Sequence, residues 1–358
     1  DVKAEVAGAL WRLSADPEIK VLIAAANTIS SLVQLFGTGD TRARDHAASA
    51  LASLGLSNQD NQVQITQMLI ELLINGTPEA QERAVRALRA LVAENPSAHE
   101  AIARAGNPSA LVELLKNGIS EAKDYALWSL SLSISTESQG TVMEAGGVQP
   151  LIDQLSDTRV FVQEQAAAAL AKLAYNNEAT RAAITQVGGV EPLITLLQTQ
   201  GDEASTVRQN GANALANLAS DTAARDEIVS LGGIRPLVIV LDDEQNSTKK
   251  YAARALARLS TDNATQSAIA VAGAIQPLVM LLDGNCGPEA QEQAAGALYA
   301  LADHEGNRLA ITDSGGIAWL VQLLGCDNPK AREHAEGALV RLSIENANRV
   351  LIIKKLID

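Results

Sequence analysis

The stretch 183–220, AITQVGGVEPLITLLQTQGDEASTVRQNGANALANLAS, decides how this chain folds. A short apolar run ends at Gly188-Gly189, where glycine accepts the left-handed conformation that stops a helix. Pro192 then opens a second helix, in a first turn where its missing N–H costs nothing. LITLL buries that helix, the polar residues Gln198 to Ser205 turn the chain, and a long third helix carries ALANL. One unit therefore holds three helices.

Laid on itself, the chain repeats this unit. Ala-Leu-x-x-Leu occurs nine times, with its first leucine at 10, 51, 88, 127, 170, 215, 256, 298 and 339. A second landmark, the start of an LVxLL-like run, falls at Leu32, Leu69, Leu111, Leu151, Leu193, Leu237, Leu278 and Leu320. Two landmarks sharing a period of about forty residues mark an all-α solenoid, in which no unit buries its apolar face alone. The spacing gives eight full repeats at 21–61, 62–100, 101–139, 140–181, 182–226, 227–266, 267–308 and 309–349. A lone third helix over 1–20 precedes them, and 350–358 begins another unit. Repeat 62–100 has lost its Gly-Gly and proline (QITQMLIELL), and 101–139 has a displaced proline in GNPSAL.

Composition agrees: 47% of the 358 residues are hydrophobic but only 3% aromatic, which suits many thin helix contacts better than one thick core. The formal charge of −14 sets a field that repels phosphate backbones and anionic membranes, so nucleic acid is not an expected partner. Val21 to Phe36 is the most apolar N-terminal run, but Asn27, Thr28, Ser30, Ser31 and Gln34 interrupt it. It reads as a core helix, not as a membrane insertion. Cys286 and Cys326 stand in separate turn-like stretches, which points to a reducing compartment, the cytoplasm or the nucleus. The chain opens inside a helical pattern without an initiator methionine, as a piece of a longer protein would.

AGGVQPLIDQL, VGGVEPLITLL, LGGIRPLVIVL and AGAIQPLVMLL, each followed by an ALxxL helix, resemble armadillo repeats over essentially the whole chain. The resemblance implies a right-handed superhelix whose third helices line a concave groove where partner proteins bind. It implies a monomeric, non-enzymatic scaffold or adaptor without a cofactor, holding an extended or helical segment of a partner. The alternative is a targeting or structural arm of a larger ligase-, kinase- or motor-associated enzyme.

A search for chemistry supports the scaffold. His46 (RDHAASAL) and His334 (REHAEGAL) occupy one column of two distant repeats, so they share a structural role and cannot meet at a metal. His304 and His99 belong to no HxxxH, HExxH or CxxC pattern.

If both leucines of ALxxL face the core, the residue before the second leucine and those four and eight residues earlier form one exposed stripe. Its outermost column is acidic at Asp45, Glu82, Glu121, Glu164, Glu292 and Glu333. One repeat offers three amides in register, Gln209, Asn213 and Asn217, and the next three cations, Lys250, Arg254 and Arg258. Asn217 matches the asparagine of the family's ALxNL motif, which the resemblance implies would bond the backbone of an extended ligand. Importin-α-like members place tryptophan four residues before it, and this chain has none in that column. With Tyr125, Ser129, Lys172, Glu292, Glu333 and Arg341 these six form the expected partner-binding set. Arg254 and Arg258 are expected to be exposed, able to grip an acidic side chain and to tolerate charge reversal without loss of the fold.

Overall fold

A computed structural model describes residues 2–56, 58–94 and 107–357, the side chains of 89–94 and 202 excepted. Every regular element in them is a helix. The chain divides into two compact units, 1–151 and 152–358.

The quoted stretch builds the expected unit. Glu178–Gln186 is capped by the side chain of Asn177, Val190–Leu196 follows, and Ser205–Leu218 completes the repeat. Gly188 stands at φ +75° between the first two helices, and Gly146, Gly232, Gly273 and Gly315 repeat that geometry. Consecutive third helices in 152–358 pack against one another, from Val160–Ala174 through Ser205–Leu218, Asn246–Leu259 and Pro288–Leu301 to Pro329–Leu342. Leu173, Leu215, Leu256, Leu298 and Leu342 of the ALxxL motifs are at most 1% exposed, each burial contributing about 2 kcal/mol.

The first helices begin one to five residues ahead of the boundaries drawn from the sequence, as at Pro17, Gln59, Glu178, Thr222, Asn263, Glu305 and Asn346. Capping explains the offset at several of them. The side chains of Asp16, Asn58, Asn177, Asp221 and Asp262 accept backbone N–H groups there, upstream of the first apolar residue.

Two degenerate regions show what punctuation does. Repeat 62–100, lacking Gly-Gly, runs its first two helices together as Gln59–Asn75. Val21 to Phe36 is not one helix: Pro17–Ala25 and Thr28–Thr38 meet at an 82° bend around Asn27, at φ +55°. Among the described residues no single helix is long and apolar enough to cross a membrane.

Gly337 is needed for close approach. A Cβ there would lie 2.6 Å from Cε2 of Tyr299 on the preceding third helix. Gly337→Val is expected to cost about 2 kcal/mol by overpacking, read as a lowered urea midpoint. An unchanged midpoint would show that the Tyr299 ring can swing aside.

Candidate protein-binding face of the third helices

The two expected histidine positions carry one recurring device. His46 lies beneath Gly8 and stacks on Trp11 at 6.3 Å between ring centroids; His334 lies beneath Gly296 and packs on Tyr299 at 6.2 Å. His46 Nδ1–H also donates to the carbonyl of Ala4 at 2.8 Å, and Asn210 makes the equivalent bond to Glu164 at 3.1 Å. His99 lies outside the described residues. Among those described, no three His, Cys, Asp or Glu side chains gather as a metal site, and both cysteines are free.

The column expected to grip a ligand does something else first. Asn217 is 5% exposed, and its Nδ2 donates to the carbonyl of Ala171 at 2.8 Å. Arg258 Nη1 donates to the carbonyl of Ala216, and Arg341 Nη1 to that of Tyr299 at 2.9 Å. Ala171, Ala216 and Tyr299 are equivalent residues in the last turns of three third helices, where carbonyls have no intrahelical partner. At these three junctions a repeat completes the helix of the one before it. The stripe rule failed here because side-by-side third helices cover the edge that an isolated helix would expose.

Arg254 lies between the amides. Its Nη2 donates to Asn213 Oδ1 at 2.8 Å and to Asn217 Oδ1 at 3.0 Å, while the guanidinium stands 5.0 Å from the Tyr251 ring centroid. One cation of the stripe therefore bonds two of the amides that the sequence presents as its neighbours. Arg254 and Arg258 are half-buried rather than exposed. Burial lowers the pKa of both, and repulsion from Arg254 and Arg181 helps bring Arg258 to about 10. Lys250 binds Glu289 at 2.7 Å; burial pulls its pKa down, but this carboxylate more than offsets it.

The other expected positions divide. Tyr125 and Ser129 are 1% and 0% exposed, packed into unit 1 with Tyr125 against Trp128, so they cannot meet a partner; burial raises the tyrosine pKa. Arg341 pairs with Asp303 at 2.5 Å and stacks on Tyr299. Glu292 accepts from Asn328 at 2.9 Å, Gln209 is half-buried, and Lys172 and Glu333 are exposed.

The sequence reading missed Phe161 and Tyr175, 43% and 50% exposed, which share the stripe of Ala168 and Lys172 at helical spacing. It also missed Arg181, which donates to the carbonyl of Ala174 at 3.3 Å. The signal was present: arginine recurs in TRAAI, ARDEI, NRLAI and NRVLI, and Arg225, Arg308 and Arg349 bond the corresponding carbonyls.

The Armadillo/beta-catenin-like repeat pattern matches residues 135–175 and 221–261. Armadillo repeat-containing protein 3 of Homo sapiens is 27% identical over 203 residues, 55% of this chain, and the chain spans 23% of that relative's length. The crystal structure of an engineered protein is 32% identical, with a TM-score of 0.77 over 98% of this chain and 88% of its own. A designed armadillo repeat protein in complex with the peptide (KR)4 is 27% identical, with a TM-score of 0.58 over 66% of this chain and all of its own. The chain belongs to the armadillo repeat family, and its fold is the all-α solenoid of that family.

Proposed function

We propose that this chain is a non-enzymatic scaffold that holds an extended segment of a partner protein across the third helices of residues 152–358. The observation that carries this reading is the presence, on one run of third helices, of exposed aromatic rings and of two arginines without a counter-ion among the described residues. Phe161 and Tyr175 are exposed on the stripe that also carries Lys172, and Arg254 and Arg258 have no carboxylate partner among the described residues. Exposed aromatics supply contact area at low entropic cost, and arginine recognises anions through its planar fork. The segment carries an anionic side chain at the arginines.

A second reading has its own observation. Asp45 and Glu121 in the acidic column of residues 1–151 are exposed and form no ion pair among the described residues, and the designed relative holds alternating lysine and arginine. A basic segment would bind there.

Titration with extended acidic and basic peptides, followed by backbone NMR, separates the two. The expected result is perturbation of the helices Val160–Ala174, Ser205–Leu218 and Asn246–Leu259 by the acidic peptide, with affinity reduced about tenfold in Phe161→Ala and in Lys172→Glu. Perturbation of Thr41–Gly55 and Ser120–Ser133 by the basic peptide alone would transfer the site to residues 1–151. Changes confined to first and second helices would overturn both readings.

A further inference from the structure

Three guanidinium groups lie near the C-terminal ends of neighbouring third helices in residues 152–358, with Arg258 within electrostatic reach of the other two. Arg181 donates to the carbonyl of Ala174, Arg258 to that of Ala216, and Arg254 to the amide oxygens of Asn213 and Asn217. All three are half-buried. Arg254 and Arg181 both lie close enough to repel Arg258, and the Tyr175 ring is within electrostatic reach of Arg254 and Arg258.

The groups are under-satisfied. Nε–H of Arg181 and of Arg254 is shielded from solvent and has no acceptor. Arg258 uses Nη1 alone, and Arg254 uses Nη2 alone, so further N–H groups have no acceptor among the described residues. No carboxylate among the described residues pairs with any of the three, although acidic residues outnumber basic ones 42 to 28 in the chain. Clustering three like charges in a half-buried place is costly unless something neutralises them.

Charge decides what that something is. The two helix ends that Arg181 and Arg258 cap supply roughly half a negative charge each, leaving an excess of about two positive charges. A carboxylate would remove one of them. A phosphomonoester carries about −1.5 to −2 at neutral pH and offers three acceptor oxygens to the arginine forks. We infer that Arg181, Arg254 and Arg258 form a seat for a phosphorylated side chain of the bound segment, with Tyr175 at its rim. This rests on the reading that a segment crosses these third helices, and names the chemistry it presents there.

The test begins without a partner. Inorganic phosphate and acetate are titrated at fixed ionic strength and pH 7.5 while the arginine Nε–H resonances are followed by NMR. Phosphate is expected to move the signals of all three arginines with about tenfold higher affinity than acetate. Arg181→Lys, which keeps the charge and loses the fork, should weaken phosphate binding about tenfold with an unchanged melting temperature. Arg86→Gln, at an exposed arginine paired with Glu82, should have no effect. Nonapeptides of glycine and alanine with a central phosphoserine, glutamate or serine form the second arm, and the phosphoserine peptide should bind at least tenfold more tightly than the others and than free phosphate.

Equal binding of acetate and phosphate, or of the glutamate and phosphoserine peptides, overturns the phosphate assignment while leaving the segment-binding reading standing. Equal affinity for free phosphate and the phosphoserine peptide overturns the side-chain source. Unmoved arginine resonances overturn the seat itself.

Discussion

Arg254→Glu combined with Arg258→Glu is expected to destabilise residues 152–358 by about 4 kcal/mol, the cost of replacing half-buried hydrogen-bonded donors with charges that have no donor beside them. The reversal places one carboxylate against the oxygens of Asn213 and Asn217 and another against the carbonyl of Ala216, which then has no donor. Arg181 offsets part of this, since its cation would face a carboxylate instead of the Arg258 guanidinium. Chemical denaturation should show a lowered midpoint for these repeats, with residues 1–151 unchanged as the internal control. If the double variant melts as the wild type does, the carbonyl caps contribute little and these arginines are free to act on a ligand alone. Binding tests on this variant are uninterpretable without that measurement, so Lys172 is the better position for charge reversal.

The second large effect lies at Asp243, whose side chain is 3% exposed. It accepts from Arg208 Nε at 2.6 Å, from Ser205 Oγ at 3.0 Å and from the backbone N–H of Gln245 at 3.0 Å. Those bonds tie the start of one third helix to the turn of the next repeat. Asp243→Ala leaves Arg208 without its counter-ion and should cost about 3–5 kcal/mol. Burial alone would raise the Asp243 pKa, but the hydrogen bonds and Arg208 outweigh it and hold the carboxyl below the usual aspartate value. A depressed folded pKa stabilises the native state above the unfolded value and loses that contribution as pH falls through the folded one. Wild-type stability should therefore decline below about pH 4, and the decline should be shallower in Asp243→Asn. An identical acid limb in both proteins would place the acid sensitivity elsewhere.

Much of the fold was legible because glycine and proline act locally. Gly188, Gly232 and Gly315 stop helices whatever surrounds them, and their loss in 62–100 fuses two helices, a result the sequence signals only as degeneracy. The site was less legible. Helical spacing orders residues around one helix, but whether Asn217 or Tyr125 meets solvent depends on the neighbouring helix. Columns of like residues, such as Asn217, Arg258 and Arg341, are shared by structural bonds and by binding surfaces, and only the carbonyls opposite them distinguish the two.

Where they form, those carbonyl bonds run one way, from a repeat to its predecessor, and this has a consequence for synthesis. As the chain leaves the ribosome, the third helix Ser205–Leu218 can pack before Arg258 exists, but its Ala216 carbonyl receives that donor only after about forty further residues have emerged. Every repeat so bonded is finished one unit late, and the newest end of the growing stack is always the least sealed. Deletion from the C-terminal side reproduces that nascent state and uncovers a carbonyl, whereas deletion from the N-terminal side leaves a donor without its acceptor.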